Sequence, residues 1–600
     1  MRNVWRRKAI GEAARSTACY AAAASACLLI LSLLTQLWRL DLSVPFVYRD
    51  DSFLVQVWTK SIVDQGWYLN DPRLAAPFGA EMHDFPMADN LHFGLLKLLA
   101  YFDPRWAVVV NVYFLLTFPF VTLSSLFALR QLGIKGGPAL VASLLYTFLP
   151  YHWIRGEGHL FLAAYYIVPL SILVAIWIYG SSTRGKLLLS LLVCALQASA
   201  GIYYAFFACF LFVVAGAAAC CRARSLRPCR LVVALLAVTS LGVVANTAPS
   251  LAYALRHGGN HDVARRAVYE SEIYGLKLAP LLLPVEFHDL PPLAKLRARY
   301  DRSSIHFNES ASGTLGIIGG AAFVGLLGWS LFARAAARRH DLVDGLAMMN
   351  LALVLLGTVG GFGMLFSLLI NPQIRAYNRV SVFIAFVSLA AGAVLLEWLQ
   401  GRCSTPRSRT AFYAFLGLAL VLGVLDQSPA ALRPGLAWEA LNRHQFETDA
   451  EFVKHVEAKL PEGAAVYELP YASFPESPAV HKMDAYEHFR PYLHARSLRF
   501  SHGAMRGRDA DQWHRSLEEL PVDEMLDKIA DAGFAGIYID RRGYADEAAQ
   551  LEAELASRLG QSMVSRDARQ SFFVLSSQEN LTSSNRDRSR DRAGTAARPW

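Results

Sequence analysis

The sequence has few charged residues for its length. Asp, Glu, Lys and Arg make up 18% of the 600 residues, whereas hydrophobic residues make up 54%. Soluble domains carry about a quarter charged residues. This composition excludes an ordinary soluble globule and predicts a polytopic α-helical membrane protein.

The sequence also lacks the motifs of several enzyme and transporter classes. A phosphate loop, a dinucleotide-binding Gly-x-Gly-x-x-Gly and a His-Glu-x-x-His motif are absent, which argues against a nucleotide-driven pump and a zinc protease. Charged residues are scarce within the apolar runs. Because secondary transporters need ionisable groups near the membrane midplane, this scarcity argues against transport.

Cysteines are missing from the segments that we predict to lie on the outer side of the membrane. All eight fall in predicted helices or cytoplasmic loops. We therefore expect neither a disulfide framework nor a cysteine-based zinc site in the exterior segments.

Long apolar runs recur over the first 425 residues. A helix of about 20 apolar residues crosses the roughly 30 Å hydrocarbon core. The run over 187–220 is too long for one crossing, so we divide it at Gly201, and Gly360-Gly361 predicts a second break. The sequence predicts about eleven transmembrane helices, at 17–38, 107–129, 138–152, 160–179, 187–200, 202–220, 231–254, 312–333, 343–369, 380–400 and 411–425.

Basic residues in the loops predict the orientation, because Lys and Arg concentrate in cytoplasmic loops. The amino terminus and every second loop are basic, which predicts a cytoplasmic amino terminus, an exterior carboxy terminus and a first helix retained as a signal anchor. These loops also account for the net charge of +9 without a nucleic-acid partner. The loop residues are Arg130, Lys135, Arg184, Lys186, Arg222, Arg224, Arg227, Arg230, Arg334, Arg338, Arg339, Arg402, Arg407 and Arg409.

The distribution of apolar runs and charge divides the chain into four parts, of which one is the transmembrane domain. We predict a basic cytoplasmic amino terminus (1–16), a transmembrane domain (17–425) with long exterior loops at 39–106 and 255–311, an exterior soluble α/β domain (426–577) and a disordered polar tail (578–600).

The predicted α/β domain has short β-rich segments between amphipathic helices. Residues 465–469, 534–539 and 571–575 favour strands. Residues 522–532 and 544–559 favour helices, and a capping box at Thr448 predicts a helix from there to about Lys459. Two basic segments, 489–492 and 506–508, are interpreted as plain surface, with an acceptor cleft as the alternative.

An acidic pair, Asp50-Asp51, follows the first apolar run closely. Carboxylates near a bilayer are costly unless they carry chemistry, bind cations or stay wet. A base for an acceptor hydroxyl fits this position, with one residue acting and the other capping a helix or binding a cation. The alternative is a simple helix cap before Ser-Phe-Leu-Val.

A short exterior connection contains Glu157 and His159 between glycines. Glycine permits close backbone approach to a ligand, and either side chain could bond a sugar hydroxyl or a phosphate. The alternative is an interfacial turn with solvated charges.

Exterior Lys and Arg oppose the usual charge bias, and a phosphate leaving group at the outer leaflet would explain them. Arg375 and Arg379 stand four residues apart, on one face if the segment is helical. The alternatives are a wet surface helix and snorkelling to headgroups. The candidate phosphate-binding residues are Arg265, Arg266, Lys277, Arg375 and Arg379, and Glu270 and Tyr274 are candidate sugar- or acceptor-binding residues.

These elements, in this order, resemble the C-type (GT-C) membrane glycosyltransferases. More locally, the chain is similar to a bacterial branch described as sugar transferases or sugar translocases. The resemblance implies a GT-C-like fold, a polyprenyl-phosphate or diphosphate donor, and an Asp of the first exterior loop as the functional acid. The segments that carry it are Tyr48-Arg49-Asp50-Asp51, Gly66-Trp67-Tyr68-Leu69, Ala76-Pro77-Phe78-Gly79, Asp84-Phe85-Pro86 and Arg155-Gly156-Glu157-Gly158-His159-Leu160.

Together these features predict an inverting glycosyltransferase of the bacterial inner membrane. It would move a sugar from a polyprenyl-phosphate carrier to a cell-envelope glycan, lipid or protein at the outer face, with Asp50 or Asp51 as the general base. No metal-ligating residue or certain cofactor is predicted, and a divalent cation remains an alternative. The rival hypothesis is a non-enzymatic translocase of lipid-linked sugar or an envelope-assembly protein.

Overall fold

The computed structural model describes residues 2–180, 185–304, 308–333 and 340–575, and the predicted tail and four of the predicted basic loop residues lie outside these ranges. The first two thirds of the chain are helical. The helices are α1 (Arg2–Thr35), α2 (Ser52–Gln65), α3 (Asn90–Ala100), α4 (Trp106–Gln131), α5 (Gly136–Thr147), α6 (Pro150–Arg155), α7 (Leu160–Ala163), α8 (Val168–Tyr179), α9 (Leu187–Ala198), α10 (Ile202–Ala223), α11 (Arg227–His257), α12 (Glu270–Ile273), α13 (Leu278–Leu282), α14 (Pro291–Ser303), α15 (Gly316–Phe332), α16 (Asp341–Gly357), α17 (Phe362–Leu369), α18 (Ser381–Gly401) and α19 (Pro406–Gln427).

The polytopic helical membrane fold is confirmed. In the described residues six helical segments are long and apolar enough to cross a membrane, at Ser16–Thr35, Trp106–Gln131, Ile202–Ala223, Arg227–His257, Tyr377–Gly401 and Pro406–Gln427. Helix α18 is central, because its first ten residues are buried on all sides and it contacts α5, α8, α15 and α16. A helix that is apolar all round belongs in the interior of such a bundle.

Both predicted breaks are confirmed. Helix α9 ends at Ala198 and α10 begins at Ile202, and Gly201 between them has φ +102°, a conformation that glycine adopts readily. Helix α16 likewise ends at Gly357, before Gly360 and Gly361, and α17 begins at Phe362.

Two predicted spans are more interrupted than the apolar pattern indicated. The prediction of one helix over 138–152 is wrong, because α5 ends at Thr147 and Pro150, which lacks an N–H group, opens α6. The prediction of one helix over 160–179 is wrong as well, since α7 ends at Ala163 and α8 begins at Val168. Hydrophobicity alone does not reveal such breaks.

The carboxy-terminal α/β domain (here residues 436–575) contains one five-stranded sheet. Its strands are β3 (Ala465–Leu469), β4 (Arg499–Phe500), β5 (Phe534–Asp540), β6 (Met563–Val564) and β7 (Gln570–Val574), in the order β4-β3-β5-β7-β6. Strand β3 pairs in parallel with β4 and β5, and β7 pairs antiparallel with β5 and β6. The helices of this domain are α20 (Leu436–Glu457), α21 (Phe489–His494), α22 (Asp509–Glu518), α23 (Val522–Asp531) and α24 (Ala549–Leu559). Outside the domain, β1 (Asn70–Asp71) and β2 (Ala80–Glu81) form a separate hairpin in the first long loop.

The three predicted strands are confirmed, but two local predictions in this domain are wrong. Thr448 does not cap a helix, because α20 has already begun at Leu436 and the Thr448 hydroxyl donates to the His444 carbonyl inside it. The segment Phe489–Tyr492 is not surface, because all four of its side chains are buried.

The first long loop and the carboxy-terminal domain share hydrogen bonds along one edge of the sheet. The Phe500 N–H of β4 donates to the Arg73 carbonyl (2.8 Å), and the Ala76 N–H donates back to the Phe500 carbonyl (2.9 Å). The Ala75 N–H donates to the His502 carbonyl (2.8 Å). We call residues 73–76 the edge segment. It covers the strand edge and fixes the domain against the loop that contains the acidic pair.

Candidate functional site

The acidic pair lies at the start of α2, where the backbone turns sharply. Asp50 has φ +51°, and α2 begins two residues later at Ser52. Asp51 occupies the position before the helix, but its side chain makes no capping hydrogen bond. The Ser52 hydroxyl instead bonds the Arg49 carbonyl at 2.6 Å. The simple capping role that the sequence left open therefore does not describe the Asp51 carboxylate.

The two carboxylates have different surroundings. The side chains of Asp50 and Asp51 are 64% and 51% exposed, and the Asp50 carboxylate lies 3.8 Å from Arg49 Nε. Asp51 lines two cavities, and its Oδ2 lies 3.4 Å from His159 Nε2. Of the pair, Asp51 lines both cavities, whereas Asp50 lines only the second.

The larger cavity, which we call the Asp51 cavity, has a volume of about 890 Å³. Its walls come from α2, from the loop before α3, from the starts of α7 and α10, and from the segment before α18. The carboxy-terminal domain closes one side through Glu476, Ser477, Ala485 and Tyr486, and α11 contributes Val243 and Thr247. One cavity thus joins charged loops to the apolar side of a membrane-spanning helix.

Three arginines predicted from the sequence line the Asp51 cavity: Arg266, Arg375 and Arg379. Two of them are paired with carboxylates. Arg266 forms two hydrogen bonds to Glu476, at 2.6 and 3.0 Å, and Arg375 forms an ion pair with Glu270 and lies over the Tyr274 ring. These pairs neutralise most of the positive charge that Arg266 and Arg375 bring.

Arg379 is the cation that the cavity leaves available. Its guanidinium lies 4.2 Å from the centroid of the Tyr203 ring. Its Nε is buried without a hydrogen-bond partner in the described part of the chain. A guanidinium with unused donors beside an aromatic ring is suited to a phosphate.

The other predicted cations are placed elsewhere. Lys277 does not line either cavity, and its ammonium group donates to the Ser304 hydroxyl at 2.9 Å. Arg265 is exposed and also lines neither cavity. Among the predicted sugar- or acceptor-binding residues, Tyr274 and His159 line the Asp51 cavity, whereas Glu270 acts on it through Arg375.

A second cavity of about 530 Å³ lies on the other side of Asp51 and His159. Asp50, Glu157 and Arg433 contribute to its polar lining, and Trp153 and Phe287 to its apolar lining. Asp51 and His159 line both cavities, so a group bound against them from one cavity would be close to a group bound against them from the other. Such an arrangement suits a transfer between two substrates.

Glu157 holds the wall of this second cavity in place. Its side chain is buried, and Oε2 accepts a hydrogen bond from the Val47 N–H at 3.0 Å. Burial raises the pKa of Glu157 to about 8, against the effect of main-chain hydrogen bonds from Val47 and Phe46. Glu157 therefore links the connection after α6 to the loop segment that precedes the acidic pair.

The surroundings raise the pKa of the Asp51 carboxylate and favour the neutral form of the His159 imidazole. Burial, followed by the nearby Asp50, Glu309 and Glu476, raises the pKa of Asp51, while Arg379 opposes this change. Burial, with Arg155 and Arg379, lowers the pKa of His159 to about 3. A raised pKa is what a general base needs when it works near neutral pH.

Sequence reasoning missed several residues of the Asp51 cavity, namely Asp89, Tyr203, Glu309 and Glu476. Glu309 accepts a hydrogen bond from Arg155 Nη2 at 2.8 Å. Burial acts to raise the pKa of Glu309, but Arg155 and Arg379 outweigh it and hold that pKa at about 2. No local pattern marks these residues, because each is a single polar side chain in a loop or at a helix start.

A metal site is not formed by the described residues. No group of three or more His, Cys, Asp or Glu side chains among them is arranged to hold a metal ion.

Comparison with known proteins found no matching family profile and no matching curated sequence. Three solved structures are similar at low identity. ArnT from Cupriavidus metallidurans bound to undecaprenyl phosphate is 12% identical, with a TM-score of 0.49 over 93% of this chain and 97% of that chain. The archaeal oligosaccharyltransferase AglB from Archaeoglobus fulgidus, in complex with an inhibitory peptide and a dolichol-phosphate, is 12% identical, with a TM-score of 0.43 over 94% of this chain and 75% of that chain.

The third is the arabinofuranosyltransferase AftD from Mycobacteria, which is 13% identical with a TM-score of 0.43. The match covers 87% of this chain but 35% of AftD. Similarity at this level assigns neither a family nor an activity to the present chain. The functional proposal therefore rests on the residues that line the two cavities.

Proposed function

We propose that this protein is a membrane glycosyltransferase that moves a sugar from a polyprenyl-phosphate donor to a cell-envelope acceptor. The observation that carries the proposal is that Asp51 lines both cavities. One of these cavities also contains Arg379 and reaches a membrane-spanning helix. The resemblance of the first loop to GT-C enzymes supports the same conclusion.

The donor binds in the Asp51 cavity. Its phosphate takes the unused donors of Arg379, and its polyprenyl chain leaves along Val243 and Thr247 of α11. Residues Val244, Leu251 and Leu255 on the same helix are exposed in the structure. An apolar chain lying there would be in contact with hydrocarbon on the membrane side.

The acceptor enters through the second cavity. Its hydroxyl oxygen attacks the anomeric carbon of the donor, and the bond between that carbon and the phosphate oxygen breaks with inversion. The hydroxyl proton passes to the Asp51 carboxylate. The electron pair of the broken bond stays with the polyprenyl phosphate, whose added negative charge Arg379 stabilises. No proton has to be supplied to this leaving group at neutral pH.

His159 orients the base. With its pKa near 3, it stays neutral at physiological pH and adds no positive charge against Asp51. Its Nε2 lies 3.4 Å from the Asp51 carboxylate, which is close enough to restrict the orientation of that side chain. A neutral partner leaves the basicity of Asp51 intact, whereas an imidazolium would lower it.

The proposed location is the bacterial inner membrane, with the amino terminus in the cytoplasm and both cavities on the outer side. Two contacts support a common side for the basic loops. Arg222 lies 3.3 Å from Asp341, and the Lys135 N–H donates to Glu397 at 3.2 Å. The first contact joins the end of α10 to the start of α16, and the second joins the connection after α4 to the end of α18. These are basic connections, which the positive-inside rule expects in the cytoplasm.

The test compares Asp51→Asn with Asp50→Asn at matched expression. Envelope glycans are analysed by mass spectrometry after deletion of the gene and complementation with each variant. We expect Asp51→Asn to lose about 10²–10⁴-fold in transfer, as for removal of a general base, and Asp50→Asn to keep most of it. Full activity of Asp51→Asn would refute the mechanism.

A further inference from the structure

A buried carboxylate of the first long loop, Asp89, also lines the Asp51 cavity. Asp89 lies in the first loop, directly before α3, and is only 8% exposed. It lines the cavity together with Gly201 and Tyr203 from the start of α10. The proposed chemistry uses Asp51 and Arg379 and gives Asp89 no role.

The backbone around Asp89 is fixed without help from its carboxylate. The Gly201 N–H donates to the Ala88 carbonyl at 3.1 Å, and the Leu91 N–H donates to the Ser199 carbonyl at 2.9 Å. These bonds dock the segment before α3 into the break between α9 and α10. The break therefore has a structural purpose that is independent of the Asp89 side chain.

The glycine at this break leaves room for the carboxylate. A Cβ atom on Gly201 would lie 3.3 Å from Asp89 Oδ1, which is a tight contact, and φ of +102° already disfavours other residues. Gly201 thus keeps the wall of the cavity open at Asp89.

The carboxylate has no side-chain hydrogen-bond partner in the described part of the chain, where its hydrogen bond is to the main chain at Ala88. Burial raises the pKa of Asp89 to about 7, although Arg379 opposes this effect. A buried carboxylate that is not paired within the protein is costly and is retained where it binds something else.

The surroundings of Asp89 fit a sugar ring. Trp58, Phe85, Phe161 and Tyr203 line the same cavity and offer flat apolar surfaces. Ligand cavities of this kind are mostly apolar, with a few polar groups that fix the orientation of the ligand. A carboxylate has two oxygens, and both accept hydrogen bonds from hydroxyl groups.

We propose that Asp89 binds hydroxyl groups of the donor sugar while Arg379 binds the donor phosphate. The two contacts together would orient the anomeric carbon toward Asp51. This inference rests on the proposed function, since it assigns the sugar part of the same donor.

The experiment separates the sugar from its carrier. Undecaprenyl phosphate and a set of undecaprenyl-phosphate monosaccharides (glucose, mannose and arabinose) are titrated onto purified full-length protein, and binding is measured by native mass spectrometry. The variants are Asp89→Ala and Asp89→Asn. Asp103→Asn serves as the matched control, because Asp103 is in the same loop, pairs with Arg105 and lines neither cavity.

The wild-type protein should bind at least one glycosylated carrier more tightly than the bare carrier. Asp89→Ala should reduce that preference about tenfold, as expected for loss of a charged hydrogen bond, and Asp89→Asn should reduce it less. Affinity for the bare carrier should stay the same or rise, because a negative charge near Arg379 has been removed. Asp103→Asn should match the wild type.

The outcomes distinguish the two proposals. If the wild-type protein binds neither the bare nor the glycosylated carriers, the proposed function fails and this inference fails with it. If the carriers bind but Asp89→Ala keeps the full preference for the sugar, or weakens the bare carrier equally, the inference alone is overturned. Melting temperatures of all variants identify any change caused by misfolding.

Discussion

The guanidinium of Arg490 lies 4.5 Å from the centroid of the Tyr48 ring, and its Nη2 donates to the Tyr48 carbonyl at 3.4 Å. The same group lies 4.8 Å from the centroid of the Phe53 ring. Arg490 belongs to α21 of the carboxy-terminal domain, whereas Tyr48 and Phe53 flank the acidic pair. The domain therefore contacts the chain on both sides of Asp50 and Asp51, and fixes the segment that presents the proposed base.

Loss of the Arg490 side chain should unfold this junction. Arg490 is buried and pairs with Asp449 at 2.8 Å and with Glu487. Arg490→Met leaves these buried carboxylates with less positive charge, so we expect a loss of about 3–5 kcal/mol in the free energy of unfolding. Thermal denaturation in detergent measures this effect. An unchanged melting temperature would contradict the importance of the contact.

Tyr48→Phe should destabilise the same junction less than Arg490→Met, because it removes only a hydroxyl group. The Tyr48 hydroxyl donates to Asp449 at 3.0 Å and bonds His494 at 2.8 Å, but the ring under Arg490 is kept. We expect a loss of about 1–3 kcal/mol, the cost of leaving buried partners unsatisfied, with a transfer rate close to that of the wild type. A loss of transfer as large as that of Asp51→Asn would mean that the hydroxyl has a direct role.

Acid should weaken the same network through Glu487. Burial acts to raise the pKa of Glu487, but Arg490 and Arg542 outweigh it and hold that pKa at about 2. A carboxylate with a lowered folded-state pKa stabilises the fold above its ordinary value of 4.5, and this stability is lost as the pH falls toward 2. We expect the melting temperature to fall between about pH 5 and pH 2. Glu487→Gln should be less stable at neutral pH and should flatten this dependence.

The pH dependence of transfer should report on Asp51. The reaction needs the carboxylate, so the rate falls as the pH drops through a pKa that lies above the ordinary 3.8. Asp50→Asn removes a like charge and should move this acid limb to lower pH. Arg379→Met removes a cation and should move it to higher pH. If the acid limb of the pH–rate profile does not shift in opposite directions in these two variants, a group other than Asp51 controls it.

Arg379 should control donor affinity. Because a hydrogen bond to a charged group contributes about 1.5–3 kcal/mol, Arg379→Met should raise the KM for the donor roughly 10- to 100-fold. Arg379→Lys should recover part of the loss. Arg299→Met, which alters an exposed arginine of the second long loop, is the control. A KM that rises equally in both variants would indicate a general effect of charge near the membrane.

The sequence predicts Asp51, Arg375 and Arg379 as candidates, because acidic and basic residues beside apolar runs oppose the usual composition of a membrane surface. The structure brings these three residues to one cavity. The sequence does not separate Asp50 from Asp51. That distinction depends on the folded arrangement, in which Asp50 lines only the second cavity whereas Asp51 lines both.

Residues that act through distant contacts were harder to predict. The sequence predicts a surface position for Arg490 because arginine is usually exposed, yet this side chain is buried against Asp449, 41 residues away in the chain. Asp89 gave no signal either, since a single acid before a helix is common. Both positions depend on contacts between segments far apart in sequence, which a local pattern does not contain.

The edge segment has a consequence for dissection of the protein. Strand β4 ends its sheet on one side, and residues 73–76 of the first loop occupy the hydrogen-bonding groups that would otherwise face solvent. A fragment beginning near residue 426 would expose this strand and invite pairing between copies. Chimaeras that exchange the carboxy-terminal part between related proteins should therefore carry the matching stretch of the first loop with it.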